Sequence, residues 1–116
     1  MQDFRQLQVW QKAHRLALAV YAETANFPKS ELFGVTSQMR RAAVSVATNI
    51  VEGSSRKGDK EFGRFLQIAL ASSTELEYLV ILAEDLKLPG KTRATKVGNE
   101  AIEIRRMLYG LLSSLK

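Results

Sequence analysis

Residues 37–56 read SQMRRAAVSVATNIVEGSSR. Turned at about 100° per residue, the segment gathers Met39, Ala42, Ala43, Val46 and Ile50 on one apolar arc. Ala47, Val51 and Val44 extend that arc past half the circumference, interrupted only by Arg40. Gln38, Arg41, Ser45, Asn49, Glu52 and Arg56 fall in a narrow polar line beside it. A helix in a four-helix bundle buries one stripe, not half its cylinder. The segment therefore reads as a bundle helix with a second apolar face and a polar seam.

The neighbouring segments have the same period. Leu7, Trp10, His14, Ala17, Tyr21 and Thr24 recur at three and four spacing, which predicts a helix with this stripe inward and His14 in the core. Phe27-Pro28 closes it, because a residue before proline avoids helical angles. The second helix starts between Ser30 and Ser37, with Ser30 a candidate cap and Gly34 weakening the first turns. It ends at Gly53, before the breaker run Ser54-Ser55-Arg56-Lys57-Gly58. Asp59 is a candidate cap for a third helix, whose stripe is Phe62, Leu66, Ala69, Ser73, Leu76, Val80, Ala83 and Lys87; Leu88-Pro89-Gly90 stops it. Thr92 is a candidate cap for the fourth, where Val97, Ala101, Ile104, Leu108, Leu111 and Leu115 form a coiled-coil-like seam. The expected helices cover about 7–25, 31–53, 59–87 and 92–115. Short connections between them favour antiparallel neighbours, so the expected fold is an all-α, up-down-up-down antiparallel four-helix bundle forming one domain over residues 1–116.

The composition fits that fold. Apolar residues make up 46% and charged residues 25%, a globular balance. There is no cysteine, which removes disulfides and thiolate chemistry. Uninterrupted apolar runs such as Leu79 to Ala83 are far below the ~20 residues of a membrane helix. The opening MQDFRQLQVWQK has no apolar signal core, so a cytoplasmic protein without a membrane partner is the expectation.

More apolar surface is present than one small bundle can hide. Besides Val44, Ala47 and Val51, the first helix has Val9, Leu16 and Val20 beside its stripe, and the third has Ile68, Leu82 and Leu86 on a flank. Such excess marks an interface and predicts a homo-oligomer, with Val44, Ala47, Val51 and Arg40 at the contact. The polar line of Gln38, Arg41, Ser45, Asn49 and Glu52 then lies near closely approaching helices, where an unpaired polar group costs about 1–3 kcal/mol. Arg41, Glu75 and Glu77 fall at similar heights and are candidate partners. A structural seam that sets register is favoured over a ligand site.

Catalytic patterns are missing. His14 is the only histidine, and Glu75 and Glu77, two apart, point to different helix sides. The Glu-x-x-His spacing of di-iron bundles and the Walker lysine pattern are absent. No enzyme, metal or cofactor is expected.

Four motifs have a familiar form: FRQLQVWQKAH (4–14), FPKSELFG (27–34), SQMRRAAVSVATNIVEG (37–53) and KEFGRFLQIALASSTELE (60–77). Together they resemble the four-helix-bundle family named for open reading frames inside 23S ribosomal RNA intervening sequences. The resemblance runs from Phe4 past Leu88; the fourth helix agrees in pattern only. Related proteins include the accessory variability determinants of diversity-generating retroelements, which resemble basic barrels of five bundles that associate with a reverse transcriptase and nucleic acid. The resemblance implies a homopentamer and suggests RNA, a ribonucleoprotein or a reverse transcriptase-like protein as partner. Ala47 departs from the pattern, since many members resemble S-I-P-A-N-I-A-E-G there. Without that proline no kink is expected in the second helix.

The net charge is +5 and the pI about 9.7, which permits nucleic-acid binding. The basicity is spread over both bundle ends and the middle. The best candidate contact is the loop around Arg56, Lys57 and Lys60 with Arg64 close by, where a phosphate would meet cations and the positive end of the third helix. The expected function is RNA or nucleic-acid–protein binding by an oligomeric bundle, and the alternative is an oligomeric protein–protein adaptor.

Overall fold

The computed structural model describes residues 3–89 and 96–115. Its helices are α1 (Gln8–Thr24), α2 (Ser37–Ser54), α3 (Asp59–Asp85) and α4 (Gly98–Ser114). A short 3₁₀ turn, Phe4–Gln6, precedes α1, and no strand occurs among the described residues. Each helix packs on two neighbours in the cyclic order α1–α2–α3–α4, with α2 against α3 the most extensive contact. The result is the expected four-helix bundle, 44 Å long and about 20 Å across.

The core follows the period of each helix. In α3 the anticipated stripe from Phe62 to Ala83 is buried throughout, and so are Ala101, Ile104 and Leu108 of α4 and Val97 just before it. The arc Met39, Ala42, Ala43, Val46 and Ile50 supplies the share of α2. α2 runs unbroken through Ala47, as a chain without proline there should. In its length and composition α3 could cross a membrane, with a mean hydropathy of 1.4 over 18 residues, but its apolar stripe forms the bundle core.

α1 is turned relative to expectation. Its buried stripe is Val9, Ala13, Leu16, Val20 and Thr24, while Trp10 and Ala17 are half-buried and His14 and Tyr21 are exposed. His14 is thus not a core residue; its ring stacks on Trp10 at the surface, 5.2 Å between centroids. From Val9 to Val20 and from Trp10 to Tyr21 the two stripes have the same spacing and lie one residue apart, and Thr24 belongs to both. The aliphatic one goes inward because branched side chains and Ala13 interdigitate at core density, whereas the other would bury an imidazole and an indole N–H.

Three ends differ in detail. The segment before α2 does not form regular helix from Ser30. It makes a 3₁₀ turn at Lys29–Glu31 and a single π turn at Leu32–Thr36, where Gly34 has non-helical angles (φ −113°, ψ −116°). The Glu31 carboxylate accepts from the Val35 N–H across this turn at 3.4 Å. Asp59 is the first residue of α3 rather than its cap; Gly58 occupies the cap position with φ 83°, which a side chain rarely adopts. The C-terminus of α3 closes with Lys87 at φ 57° and Leu88 N–H donating to Ala83 O at 3.0 Å, a Schellman-type stop ahead of Pro89. The expected cap Thr92 and the cations Lys91, Arg93 and Lys116 lie outside the described residues.

Candidate nucleic-acid interface and apolar groove

A polar tie crosses every helix-to-helix boundary. Arg40 Nε donates to Thr24 Oγ1 at 2.8 Å between α2 and α1. The hydroxyls of Ser45 and Ser72 are 2.8 Å apart between α2 and α3. Ser73 Oγ donates to Ala101 O at 2.9 Å and Arg105 Nε to Glu77 Oε2 at 2.7 Å between α3 and α4. Lys12 Nζ meets Glu103 Oε1 at 3.2 Å between α1 and α4. The guanidinium of Arg105 is held above its ordinary pKa, first by its hydrogen bond to Glu77 and then by the charge of that carboxylate.

The polar line of α2 divides into parts with different surroundings. Ser45 and Asn49 form the seam: Asn49 Nδ2 donates to Ser45 O at 2.8 Å and to Ser45 Oγ at 3.0 Å, and Ser45 reaches Ser72. Glu52 pairs with Arg56 at 3.4 Å. The partners expected from Arg41, Glu75 and Glu77 are therefore different ones; Glu77 belongs to Arg105. Gln38, Arg41, Ser45, Ser72 and Glu75 line an open cavity of about 410 Å³ between α2 and α3. Arg41 and Glu75 have no ion pair there among the described residues.

The cationic corner sits where α2 hands over to α3. Arg56 and Arg64 lie over the ring of Phe65, at 5.0 and 4.7 Å from its centroid, and pair with Glu52 and Glu61. Both are part of the local packing. Lys57 and Lys60 are exposed and have no ion-pair or hydrogen-bond partner among the described residues. Gly53 makes this corner possible: a Cβ there would lie 2.9 Å from Phe65 Cβ and 3.0 Å from Phe62. The role of Phe65 as a platform is not visible in helix periodicity; the signal was an aromatic between two arginines of one corner.

The second feature is a groove between α1 and α2. Val44 is 40% exposed, and Ala47 and Val51 are half-buried. With Trp10, Ala17 and Tyr21 they line an apolar depression of about 320 Å³. Arg40 stands at its upper end, with its guanidinium 4.6 Å from the Tyr21 ring centroid. The four residues expected at an oligomer contact thus share one face of the subunit. Sequence reasoning missed the α1 half of this face, because it assigned the Trp10 stripe to the core.

No group of metal-ligating side chains occurs among the described residues.

A family model described as 23S rRNA-intervening sequence protein matches residues 5–110. A solved crystal structure of a Bacteroides thetaiotaomicron protein of unknown function, from the S23 ribosomal protein family, is similar with a TM-score of 0.81 and 23% identity. The similarity covers 91% of this chain and 99% of that one, and shows the fold. No curated protein matches this chain.

Proposed function

The chain belongs to the 23S rRNA-intervening sequence protein family, and from that premise we propose that it is a non-enzymatic homo-oligomer, pentameric as the family resemblance implies, which binds RNA or a nucleic-acid–protein assembly through its α2–α3 corner. The observation that carries the nucleic-acid reading is the pair Lys57 and Lys60, exposed and without partners among the described residues, at the amino end of α3. The amide groups of that end favour anions. A ring of five copies has a formal charge of about +25, five times the +5 of one chain, and repeats the corner around its rim. Arg56 and Arg64 support the corner through Phe65 and keep its shape. Contacts to phosphates position a protein without reading bases, so recognition by shape and backbone is the expected mode.

One observation favours the adaptor reading. Arg56 and Arg64 already have acidic partners, which lowers the charge free to meet phosphate. An electrophoretic-mobility titration with a structured RNA separates the two readings. RNA binding predicts a shift at low salt that weakens with added salt and with Lys57→Glu plus Lys60→Glu. No shift at low salt removes the nucleic-acid reading and leaves the adaptor.

A further inference from the structure

α3 has two seams at three and four spacing. The first is the core stripe. The second, Ile68, Ala71, Glu75, Tyr78, Leu82 and Leu86, runs along its outer side, where all but the half-buried Leu82 are exposed, Tyr78 at 58% and Leu86 at 50%. A seam of this kind on a bundle helix is the pattern that packs against further helices. The groove between α1 and α2 is built from two such seams, Trp10, His14, Ala17 and Tyr21 on one wall and Arg40, Val44, Ala47 and Val51 on the other. One face of the subunit is thus a ridge and another a trough.

Their heights agree. The bond between Ser45 and Ser72 places these residues level in the antiparallel pair α2–α3. Both helices rise about 1.5 Å per residue, so Val44 is level with residue 73, Thr48 with 69 and Arg41 with 76. Ile68 and Ala71 therefore stand at the height of the trough, and Glu75 at the height of Arg41. Rotation about an axis parallel to the bundle preserves height, so a head-to-tail ring brings like heights together. Glu75 and Arg41 line the same α2–α3 cavity yet are exposed and unpaired in their own subunit among the described residues, and their charges are opposite. Further up, Leu82 and Leu86 reach the level of the π turn, where Phe33 is 93% exposed and Leu32 is exposed beside it. That turn extends the apolar wall, and a bare phenylalanine on an ordered turn is otherwise unexplained.

We propose that the outer seam of α3 lies in the α1–α2 groove of a second copy of this chain, with Ala71 allowing close approach, Glu75 pairing with Arg41 of the adjoining copy, and Phe33 covering Leu82 and Leu86. The inference rests on the oligomeric reading above and specifies its geometry: the contact is heterologous, which excludes a two-fold dimer and gives a ring where the rotation closes.

The chain has no cysteine, which makes the test direct. Copies bearing only Ala71→Cys are mixed with copies bearing only Thr48→Cys, unfolded and refolded together, and oxidised. A disulfide between the two variants, seen as a dimer on a non-reducing gel, is the expected result. Ala71→Cys mixed with Tyr109→Cys, on the outer side of α4, should give none. Ala71→Arg should reduce the light-scattering mass to that of a monomer with helical circular dichroism unchanged, since Ala71 is exposed. An oligomer of wild-type mass with Ala71→Arg, together with no crosslink to Thr48→Cys, overturns the proposed contact and leaves the oligomer standing. A monomeric wild-type chain at micromolar concentration overturns both.

Discussion

The hydroxyls of Ser45 and Ser72 meet at 2.8 Å between α2 and α3, and Asn49 closes the arrangement from one turn away. Ala42 on α2, beside both serines, lets the two backbones come close enough for such short side chains to touch. A two-atom reach tolerates no slip of one helix along the other, so the bond reports register as well as stability. The expected outcome is a coupling of about 0.5–1.5 kcal/mol between Ser45→Ala and Ser72→Ala in a double-mutant cycle read by urea denaturation. Additive effects within about 0.3 kcal/mol would show that the bond contributes nothing specific.

Gly53 and Gly110 make opposite predictions for one substitution. Both are in helices, where alanine is better than glycine by about 1 kcal/mol. At Gly110 an added Cβ meets nothing within 4 Å, so Gly110→Ala should raise stability by about 0.5–1 kcal/mol. At Gly53 it would sit 2.9 Å from Phe65 Cβ and 3.3 Å from the Phe62 carbonyl oxygen, neither of which can swing aside. Overpacking costs about 1–3 kcal/mol, so Gly53→Ala should be neutral to destabilising by about 2 kcal/mol. Thermal melts of the two variants side by side check the sign; a clear rise for Gly53→Ala would show that α2 and α3 separate easily.

How much could be read in advance depended on how many stripes each helix offered. In α3 only the stripe from Phe62 to Ala83 is free of charge, the outer seam being broken by Glu75, and in α4 the stripe Ala101-Ile104-Leu108 is aliphatic; both cores were legible. α1 has two, Val9-Ala13-Leu16-Val20 and Trp10-His14-Ala17-Tyr21, and periodicity alone cannot choose between stripes one residue apart. The excess of apolar surface was visible all the same, because it depends on the number of stripes and not on which goes inward. The approach to α2 was poorly legible: Gly34 signals weakness but not a π turn, whose geometry comes from burying Phe27, Val35 and Thr36 on the bundle. Ser72 gave no sign of its role, since a serine next to the core stripe is equally at home in water. The cations of the α2–α3 corner were named, but not the ring of Phe65 that orders two of them.

Arg105 leads to a pH prediction. Its pKa is raised in the folded protein by the hydrogen bond and charge of Glu77. A basic group with a raised folded pKa stabilises at all pH values below its unfolded pKa and loses that contribution only as pH passes through the folded value. For a guanidinium both lie in strong alkali. The difference in urea midpoint between wild type and Arg105→Gln should therefore stay constant from neutral pH to about pH 10. A difference that shrinks across that interval would show that the bond to Glu77 is not the source of the Arg105 contribution.

The sharpest test of the cationic corner is the salt dependence of RNA affinity rather than affinity itself. Each phosphate neutralised by a lysine releases counterions, giving a slope of about −0.7 per contact for single strands and about −0.9 for duplex in a plot of log K against log salt. Exposed lysines that only solubilise the protein add nothing to that slope. If Lys57 and Lys60 each hold one phosphate, replacing both with alanine should make the slope shallower by about 1.4–1.8 for each corner that touches the RNA. Arg56→Ala should act differently, because Arg56 is tied to Glu52 and lies over Phe65. It removes packing as well as charge, and should lower stability along with affinity. A slope unchanged by the double lysine variant, with RNA still bound, would move the contact to another face of the assembly.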